Sequence, residues 1–387
     1  MANIALVNYP GRITILNGLM PNISLAYLAQ GLISQGHKVR IYDYGTPSTI
    51  GRMTSPKLRE NLRSVRAPMQ DLFRNQSERG TPFTKTELAK VLFYSMRGLF
   101  FSRQAAKERS LEEQRIANQL ITDVAREDFQ AIGFQEWSGD GWEGSQHIAQ
   151  LVKDRMPHLV VIGGGYQARY FGERLLKASP AFDVMAIGDG ELTMPGIAEF
   201  LDGETLLPAV PNLLFRLPGG SIGRTRTEMI RADQMDHLAL YNYDPEIYPA
   251  MAGNEKIMLA ALEDGRGCNR MCDFCIHPYL NGKIPRRKSP ERIFNEMKFL
   301  NERYGFTRFR FTGSTSDFST ILEVARLVKA SGKPFKWAAF AAVSGVEVEK
   351  FGELKAGGVD ALFFGLESGE QAALTNMNKR ITPEQIK

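Results

Sequence analysis

All three cysteines of this 387-residue chain, Cys268, Cys272 and Cys275, fall within eight residues, in the run Gly265-Arg-Gly-Cys-Asn-Arg-Met-Cys-Asp-Phe-Cys275. Thiolates bind soft metals, so a lone compact triplet requires a loop that turns three sulfurs toward one centre. Gly265 and Gly267 let the backbone turn tightly enough to wrap such a group, and a strand-like run from Lys256 to Leu262 leads into it. A structural zinc site is normally closed by four protein ligands, whereas an iron-sulfur cubane can carry three cysteines and keep one iron free. The rival reading is a Cys-x3-Cys-x2-Cys-x-His zinc knuckle closed by His277, although such knuckles usually present ligand pairs from separate turns. Free buried thiols would not explain the clustering. An extracellular disulfide role fits poorly with an odd cysteine count, a long chain and no charged-then-apolar opening segment.

A hydrophobic content of 43% supports two or three domains with real cores, and no uninterrupted apolar stretch reaches the roughly twenty residues of a membrane span. The expectation is a soluble, cytoplasmic protein with neither membrane nor nucleic acid as partner. Its formal charge of +5 arises in one segment, since residues 51–126 hold fifteen Lys or Arg against eight Asp or Glu. Without interleaved aromatic platforms this excess reads as the solvated face of a helical insertion.

Along the chain, strand Ile4–Val7, a helix from about Ser24 to Gln35 and strand His37–Asp43 form a βαβ unit, with Gly36 at the helix end. From about 46 to 127 the pattern is long, charged and helical, interrupted by Pro68 and Pro82. Alternation resumes with strand Ala131–Phe134, a helix from about Gly144 to Met156, strand Leu159–Ile162, a glycine turn, a helix to about Ala178 and strand Asp183–Ile187. This order specifies an α/β, doubly wound parallel sheet with its ligand over the carboxyl ends of the strands. The turn Gly163-Gly-Gly-Tyr-Gln-Ala168 can be fitted to the dinucleotide fingerprint with Asp183 as the ribose acid. That acid precedes its strand, however, and the fingerprint sits on an internal strand, which argues against a nicotinamide or flavin cofactor. Residues 205–255, with Pro208, Pro211, Pro218-Gly-Gly and Pro245, read as a connector carrying a hairpin. Beyond it come a helix capped by Ser289 with Pro290 at its first position, then strands Phe309–Thr312, Pro334–Ala341 and Asp360–Gly365.

The spacing Cys-x3-Cys-x-aromatic-Cys, with Phe274 as the aromatic, resembles the signature of the radical S-adenosylmethionine (SAM) enzymes. The stretch Gly365-Leu-Glu-Ser-Gly369, followed by Leu374 and Met377-Asn-Lys379, is similar to that of cobalamin-type members. Strand ends Gly163-Gly-Gly165 and Gly188-Asp-Gly-Glu191 resemble the cobalamin-binding domain that precedes many such cores, where the second turn is commonly Gly-Glu-Gly-Glu. The resemblance implies a cobalamin-binding-like domain over residues 1–204, with its insertion at about 46–127. After the connector it implies a partial (β/α) barrel over 256–387, its site at the carboxyl ends of the strands. It implies a [4Fe-4S] cluster on Cys268, Cys272 and Cys275, and SAM contacts from Phe274, Thr312, Gly313 and Glu367. Cobalamin contacts would come from Trp137, Ser138, Gly163, Gly164, Gly165, Gly188, Gly190 and Glu191, with the loops Asn8–Asn22 and Gln135–Gly141 lining the corrin. No histidine lies in the cobalt-ligating Asp-x-His-x-x-Gly motif. Plainer alternatives are ordinary strand-end turns for the glycines, a packing role for Trp137, a helix-start carboxylate for Glu367 and a solvated pair for Arg286 and Arg287.

The resemblance further implies reductive cleavage of SAM to a 5′-deoxyadenosyl radical, with electrons from a flavodoxin- or ferredoxin-type reductant. The implied outcome is cobalamin-dependent methyl transfer to an unactivated carbon of a small-molecule or peptide substrate. Radical rearrangement or cyclisation without methyl transfer is one alternative, and a non-catalytic metal-binding or electron-transfer protein is another. The lack of further cysteines argues against methylthiotransferases and auxiliary-cluster peptide maturases. The strand-helix units after Lys256 are fewer than the family's barrel usually has. A fragment is therefore expected, with completion by a partner or an unusually short barrel as alternatives.

Overall fold

The computed structural model describes residues 1–12, 19–253 and 257–386. Hydrophobic runs separated by amphipathic helices build a first sheet of seven strands in the order β2-β1-β3-β4-β5-β6-β7. Its elements are β1 (Asn3–Asn8), α1 (Ile23–Ile33), β2 (Lys38–Asp43), α2 (Pro47–Met53), α3 (Pro56–Arg79), α4 (Lys85–Glu127), β3 (Ala131–Gln135), α5 (Asp140–Arg155), β4 (Val160–Gly164), α6 (Tyr166–Ala178), β5 (Val184–Ala186), α7 (Gly190–Leu201), β6 (Leu213–Arg216) and β7 (Ile222–Arg224). The first five strands are parallel. Helices α1 and α7 bury one face, while α4, α5 and α6 bury the other, so both faces are covered as a parallel sheet requires. The order 2-1-3-4-5 reverses direction between β1 and β3, and in doubly wound sheets ligands settle over the carboxyl ends of the strands at that switch point.

The expected hairpin forms as β6 and β7, but it does more than connect. It adds antiparallel to β5 and so caps the edge of the first sheet. The insertion is helical throughout, yet Pro68 does not interrupt it: α3 runs from Pro56 to Arg79 through that proline, and the break comes at Gly80, which ends the helix with φ of 65°. Thr84 and Glu87 then form a capping box that starts α4, a helix of 43 residues.

The second sheet has four parallel strands in sequence order, β8 (Leu259–Leu262), β11 (Arg308–Phe311), β12 (Lys336–Ala341) and β13 (Val359–Phe364). Between the first two lie β9 (Gly265–Arg266), α8 (His277–Leu280), β10 (Arg286–Arg287) and α9 (Pro290–Tyr304), and α10 (Phe318–Ser331), α11 (Phe351–Ala356) and α12 (Gln371–Asn376) follow later strands. Phe309 and Phe311 of β11, with Trp337 and Ala339 of β12, point outward to α9 and α10. Arg310, Phe340 and Phe363 lie on the opposite, inner face, where the Arg310 guanidinium stands 5.3 Å and 5.6 Å from the two rings. One hydrophobic core runs without a break from α1 and α7 into this second layer, through the connector residues Tyr241, Tyr243 and Tyr248.

Candidate cluster and cofactor site

The cysteine loop begins where β8 ends and is closed at its neck by a two-residue antiparallel ladder, Arg266 opposite Arg286 and Gly265 opposite Arg287. A Cβ on Gly267 would come within 2.9 Å of the carbonyl oxygens of Ile284, Asn281 and Gly282, and its φ is 84°, so glycine is needed for the loop to fold back on itself. Cys268 and Cys272 are buried, Cys275 is half-buried, and all three thiols are free. Burial pushes the Cys272 thiol up from its ordinary pKa. From the far end of the chain, Met377 accepts a hydrogen bond from Asp273 N at 3.1 Å and Asn378 donates to Met271 O at 2.8 Å. These contacts hold the loop from both sides.

His277 does not join the cysteines as a fourth ligand. Its Nδ1 lies 3.2 Å from Ser314 Oγ and 3.3 Å from Asn281 Nδ2, and its ring meets Tyr166 edge-on. Among the described residues no three Cys, His, Asp or Glu side chains converge on one ion. Three free thiols on a glycine cradle, without a converging histidine, fit a bulky cluster better than a single zinc, whose bonds to sulfur are only about 2.3 Å long.

The residues expected at SAM gather around this loop. Thr312 Oγ1 donates to Leu262 O at 3.2 Å, and Gly313 N donates to Asp264 Oδ1 at 2.9 Å, so the ends of β8 and β11 are tied together. Asp264, which the motif reading passed over, also accepts from Ser316 Oγ; with neutral donors alone to oppose it, burial raises its pKa. A Cβ on Gly313 would lie 2.5 Å from that carboxylate. Glu367 sits at φ of 66° and pairs with Lys379 at 3.0 Å, and Lys379 in turn stands 5.5 Å from the Phe274 ring. Phe274, Glu367 and Lys379 are thereby assembled beside Cys272.

At the switch point of the first sheet, the carboxyl ends of three strands share a polar relay. Trp137 Nε1 donates to Asn8 Oδ1 at 2.8 Å, Asn8 Nδ2 donates to Asp43 Oδ1 at 2.7 Å, and Asp43 also accepts from Gly45 N at 2.8 Å and from Tyr248 OH. Asn22 closes the relay by donating its backbone N–H to Tyr248 OH at 2.6 Å and its side-chain amide to Gln135. The Trp137 indole is thus oriented while 39% of the residue stays exposed. Ser138 beside it is exposed. Glu136 is buried, neither carboxyl oxygen finds a partner among the described residues, and burial lifts its pKa far above the carboxylate range. A buried carboxyl without a partner at this crest suits a ligand with hydrogen-bonding groups. Of the loop Asn8–Asn22, residues 13–18 lie outside the described residues.

Several glycines of the expected cobalamin set are occupied by the protein itself. A Cβ on Gly163 would lie 2.4 Å from Met185 Sδ, one on Gly188 would lie 2.2 Å from Asn212, and one on Gly190 would lie 2.9 Å from Leu28. Gly164 has ordinary space, and Gly165, at φ of 96°, precedes α6 at the open end of the sheet. Asp183 accepts from Val161 N at 2.8 Å and from Lys153 at 2.7 Å, which makes it a strand clamp and removes it as a ribose ligand.

The Gly188–Glu191 turn does something the motif reading did not foresee. Asp189, buried between the two sheets, meets Arg286 Nη1 at 2.8 Å, Arg169 Nη1 at 3.2 Å and Arg266 Nη1 at 3.5 Å, and accepts from Ile230 N at 2.9 Å. Glu191 and Glu263 take the rest of the Arg266 guanidinium. Burial alone would raise the Asp189 pKa, but Arg266, Arg286 and Arg169 together hold it below the ordinary value. The pair Arg286–Arg287 is therefore not solvated: Arg286 is buried on Asp189, and Arg287 donates to Thr315 O at 2.7 Å and pairs with Asp317. Arg266 stands two residues before Cys268, so this seam seats the cysteine loop on the crest of the first sheet.

The model of the radical SAM superfamily matches residues 262–387. An uncharacterized methyltransferase of Pyrococcus horikoshii is 25% identical over 245 residues, covering 62% of this chain and 52% of that protein. The cytidylyl-2-hydroxyethylphosphonate methyltransferase of Streptomyces wedmorensis is 25% identical over 281 residues, covering 64% and 52%. The chain spans about half the length of the curated relatives it matches. Among solved structures, the cobalamin-dependent SAM radical enzyme OxsB, with aqua-cobalamin and SAM bound, aligns with all of this chain and 46% of its own, at 16% identity and a TM-score of 0.68. The radical SAM methyltransferase TsrM of Kitasatospora setae, with tryptophan and a SAM analogue bound, aligns with all of this chain and 64% of its own, at 15% identity and a TM-score of 0.66. The cysteine loop and partial barrel agree with the match over residues 262–387 to the radical SAM superfamily model, and the doubly wound sheet followed by a partial barrel is the fold shared with these two solved structures.

Proposed function

We propose that the whole protein is a radical SAM methyltransferase that uses a [4Fe-4S] cluster, SAM and cobalamin to methylate an unactivated carbon of a small molecule or peptide. The observation that carries this reading is the seam at Asp189, which ties the neck of the cysteine loop, through Arg266 and Arg286, to the turn at the carboxyl end of β5. A cluster and a corrin held in those two places would share one chamber. Cys268, Cys272 and Cys275 would hold the cluster. Phe274, Thr312, Gly313 and Glu367 would line the SAM site, and Trp137, Ser138, Gly164 and Gly165 would line the cobalamin site. When bound, these groups supply the low-potential electron and the methyl group that side chains lack.

The protein's own part is positioning and shelter. The ladder at the loop neck, the carboxylate of Asp264 and the Met377–Lys379 segment hold the cysteines and the β11 end in fixed relation. The relay through Asn8 and Asp43 orients Trp137 over the crest. On the inner face of the second sheet Arg310, between Phe340 and Phe363, offers a cation and two rings to a substrate. A flavodoxin- or ferredoxin-type reductant would supply electrons.

Anaerobic reconstitution tests this reading. The full-length protein is expected to cleave SAM to 5′-deoxyadenosine or to transfer its methyl group, and Cys272→Ala to abolish both. Cobalamin is read separately, from the visible spectrum after purification from cobalamin-fed cells. A cluster that never reacts with SAM would overturn the enzyme reading, and failure to take up cobalamin would remove the methyl-transfer assignment.

A further inference from the structure

Helix α4 is apolar on two opposite faces. Gly98, Phe101 and Ala105 recur at helical spacing toward α3, where Leu58 and Val65 complete a small separate core. On the side away from α3, Leu88, Leu92, Met96 and Leu99 follow one another at i+4, i+4 and i+3, with Phe93 and Phe100 beside them. Each of these six is 53–65% exposed. The stripe is about 18 Å long at 1.5 Å per residue. Lys85 stands at one end of the same face, Arg103 and Lys107 at the other, and Lys90 and Arg97 flank it, all exposed. The Arg97 guanidinium lies 5.5 Å from the Phe93 ring. Between Lys85 and Lys107 the one acid is Glu87, and its carboxylate is taken by Arg79 at 2.7 Å and by Thr84 at 2.9 Å.

Six large apolar side chains on one bare ridge exceed the scattered exposure that is normal for a monomer. We infer that α4 is an interfacial helix, which lays the Leu88–Phe100 stripe into an anionic lipid surface with Lys85, Lys90, Arg97, Arg103 and Lys107 at the level of the headgroups. The ridge is convex, so it suits a fluid apolar phase that can close around it, and its unpaired cations complement anionic headgroups. A second copy of the same ridge would oppose five cations with five and offer no free acid between them. No helix among the described residues is long and apolar enough to cross a membrane, so the docking is in-plane. The basic excess read from sequence as a solvated face thus gains a partner.

Vesicle flotation with the purified full-length chain tests this. The protein is expected to float with vesicles of phosphatidylcholine and phosphatidylglycerol, far less with phosphatidylcholine alone, and progressively less as salt is raised. Leu92→Glu with Met96→Glu is expected to lower the partition coefficient by at least about tenfold, since two apolar anchors are lost. Lys90→Gln with Arg97→Gln should lower it by about tenfold or more. Because all four side chains are exposed, far-UV circular dichroism and the melting temperature should not change. Absence of flotation, or flotation indifferent to these variants, would overturn the inference. A solution dimer split by Leu92→Glu with Met96→Glu would assign the ridge to a second copy instead. Retention on heparin without vesicle binding would reduce it to charge alone.

Discussion

The seam around Asp189 and the ridge of α4 invert the usual distribution of polarity in opposite directions. At the seam, Asp189, Glu191 and Glu263 lie against Arg169, Arg266 and Arg286, so charges are taken out of water and matched. On the ridge, large apolar side chains stay in water beside cations that meet no acid among the described residues. Buried ion pairs rarely add much net stability, because desolvation offsets attraction, but breaking one is severe. The seam therefore contributes a unique docking geometry more than it contributes strength. The ridge contributes neither to this fold; its residues make sense through something outside it. Charge buried within a chain reports how the chain holds itself, and apolar surface left bare reports what it meets.

The seam is most sensitive at Asp189. Asp189→Ala would strand the Arg286 and Arg169 guanidinium groups beside a neutral methyl, and a loss of about 3–5 kcal/mol in urea unfolding is expected. If the loss were below about 1 kcal/mol, the seam would behave as a surface network despite its burial.

A subtler difference separates the two buried aspartates near the loop. Asp189 is held below its ordinary pKa, so the stability it contributes is present above the unfolded value of about 3.9 and is lost as pH falls through the lowered folded value. Asp264 is raised, so its contribution has the opposite sign: complete below the unfolded value, lost as pH rises through the folded one. Unfolding midpoints across acid and neutral pH should therefore show Asp264→Asn gaining on the parent as pH rises and Asp189→Asn gaining on it as pH falls. Parallel curves for both variants would remove the distinction. The smallest effect belongs to the ridge, where Leu92→Glu should change stability by no more than about 0.5 kcal/mol.

Much of this was legible in the linear chain. The alternation of strand and helix, the β6–β7 hairpin and the four later strands follow from periodicity and from glycine and proline punctuation, which are local. The cysteine loop was legible because all three cysteines stand in one short run. The role of the Gly188–Glu191 turn was not. Glycines serve close approach whether the neighbour is a ligand or a side chain, and Gly188 and Gly190 are needed against Asn212 and Leu28. Arg286 was unreadable for a related reason: its partner Asp189 lies 97 residues away, beyond any local pattern. The ridge was not legible because α4 carries apolar residues on two opposite faces, and periodicity does not say which of them α3 covers.

Local chemistry alone marked out the three clustered cysteines, the glycine turns and the strands that build the two sheets. These depend on residues within a few positions of one another, where covalent geometry limits the choices. The tertiary structure decided which of two equivalent uses each residue has. Asp189 is a clamp between the two sheets, Asp264 ties the β11 end to the cysteine loop, Trp137 is aimed by Asn8, and one face of α4 is left bare. Those outcomes turn on burial and on partners distant in sequence, which arise only when the two sheets pack through one shared core.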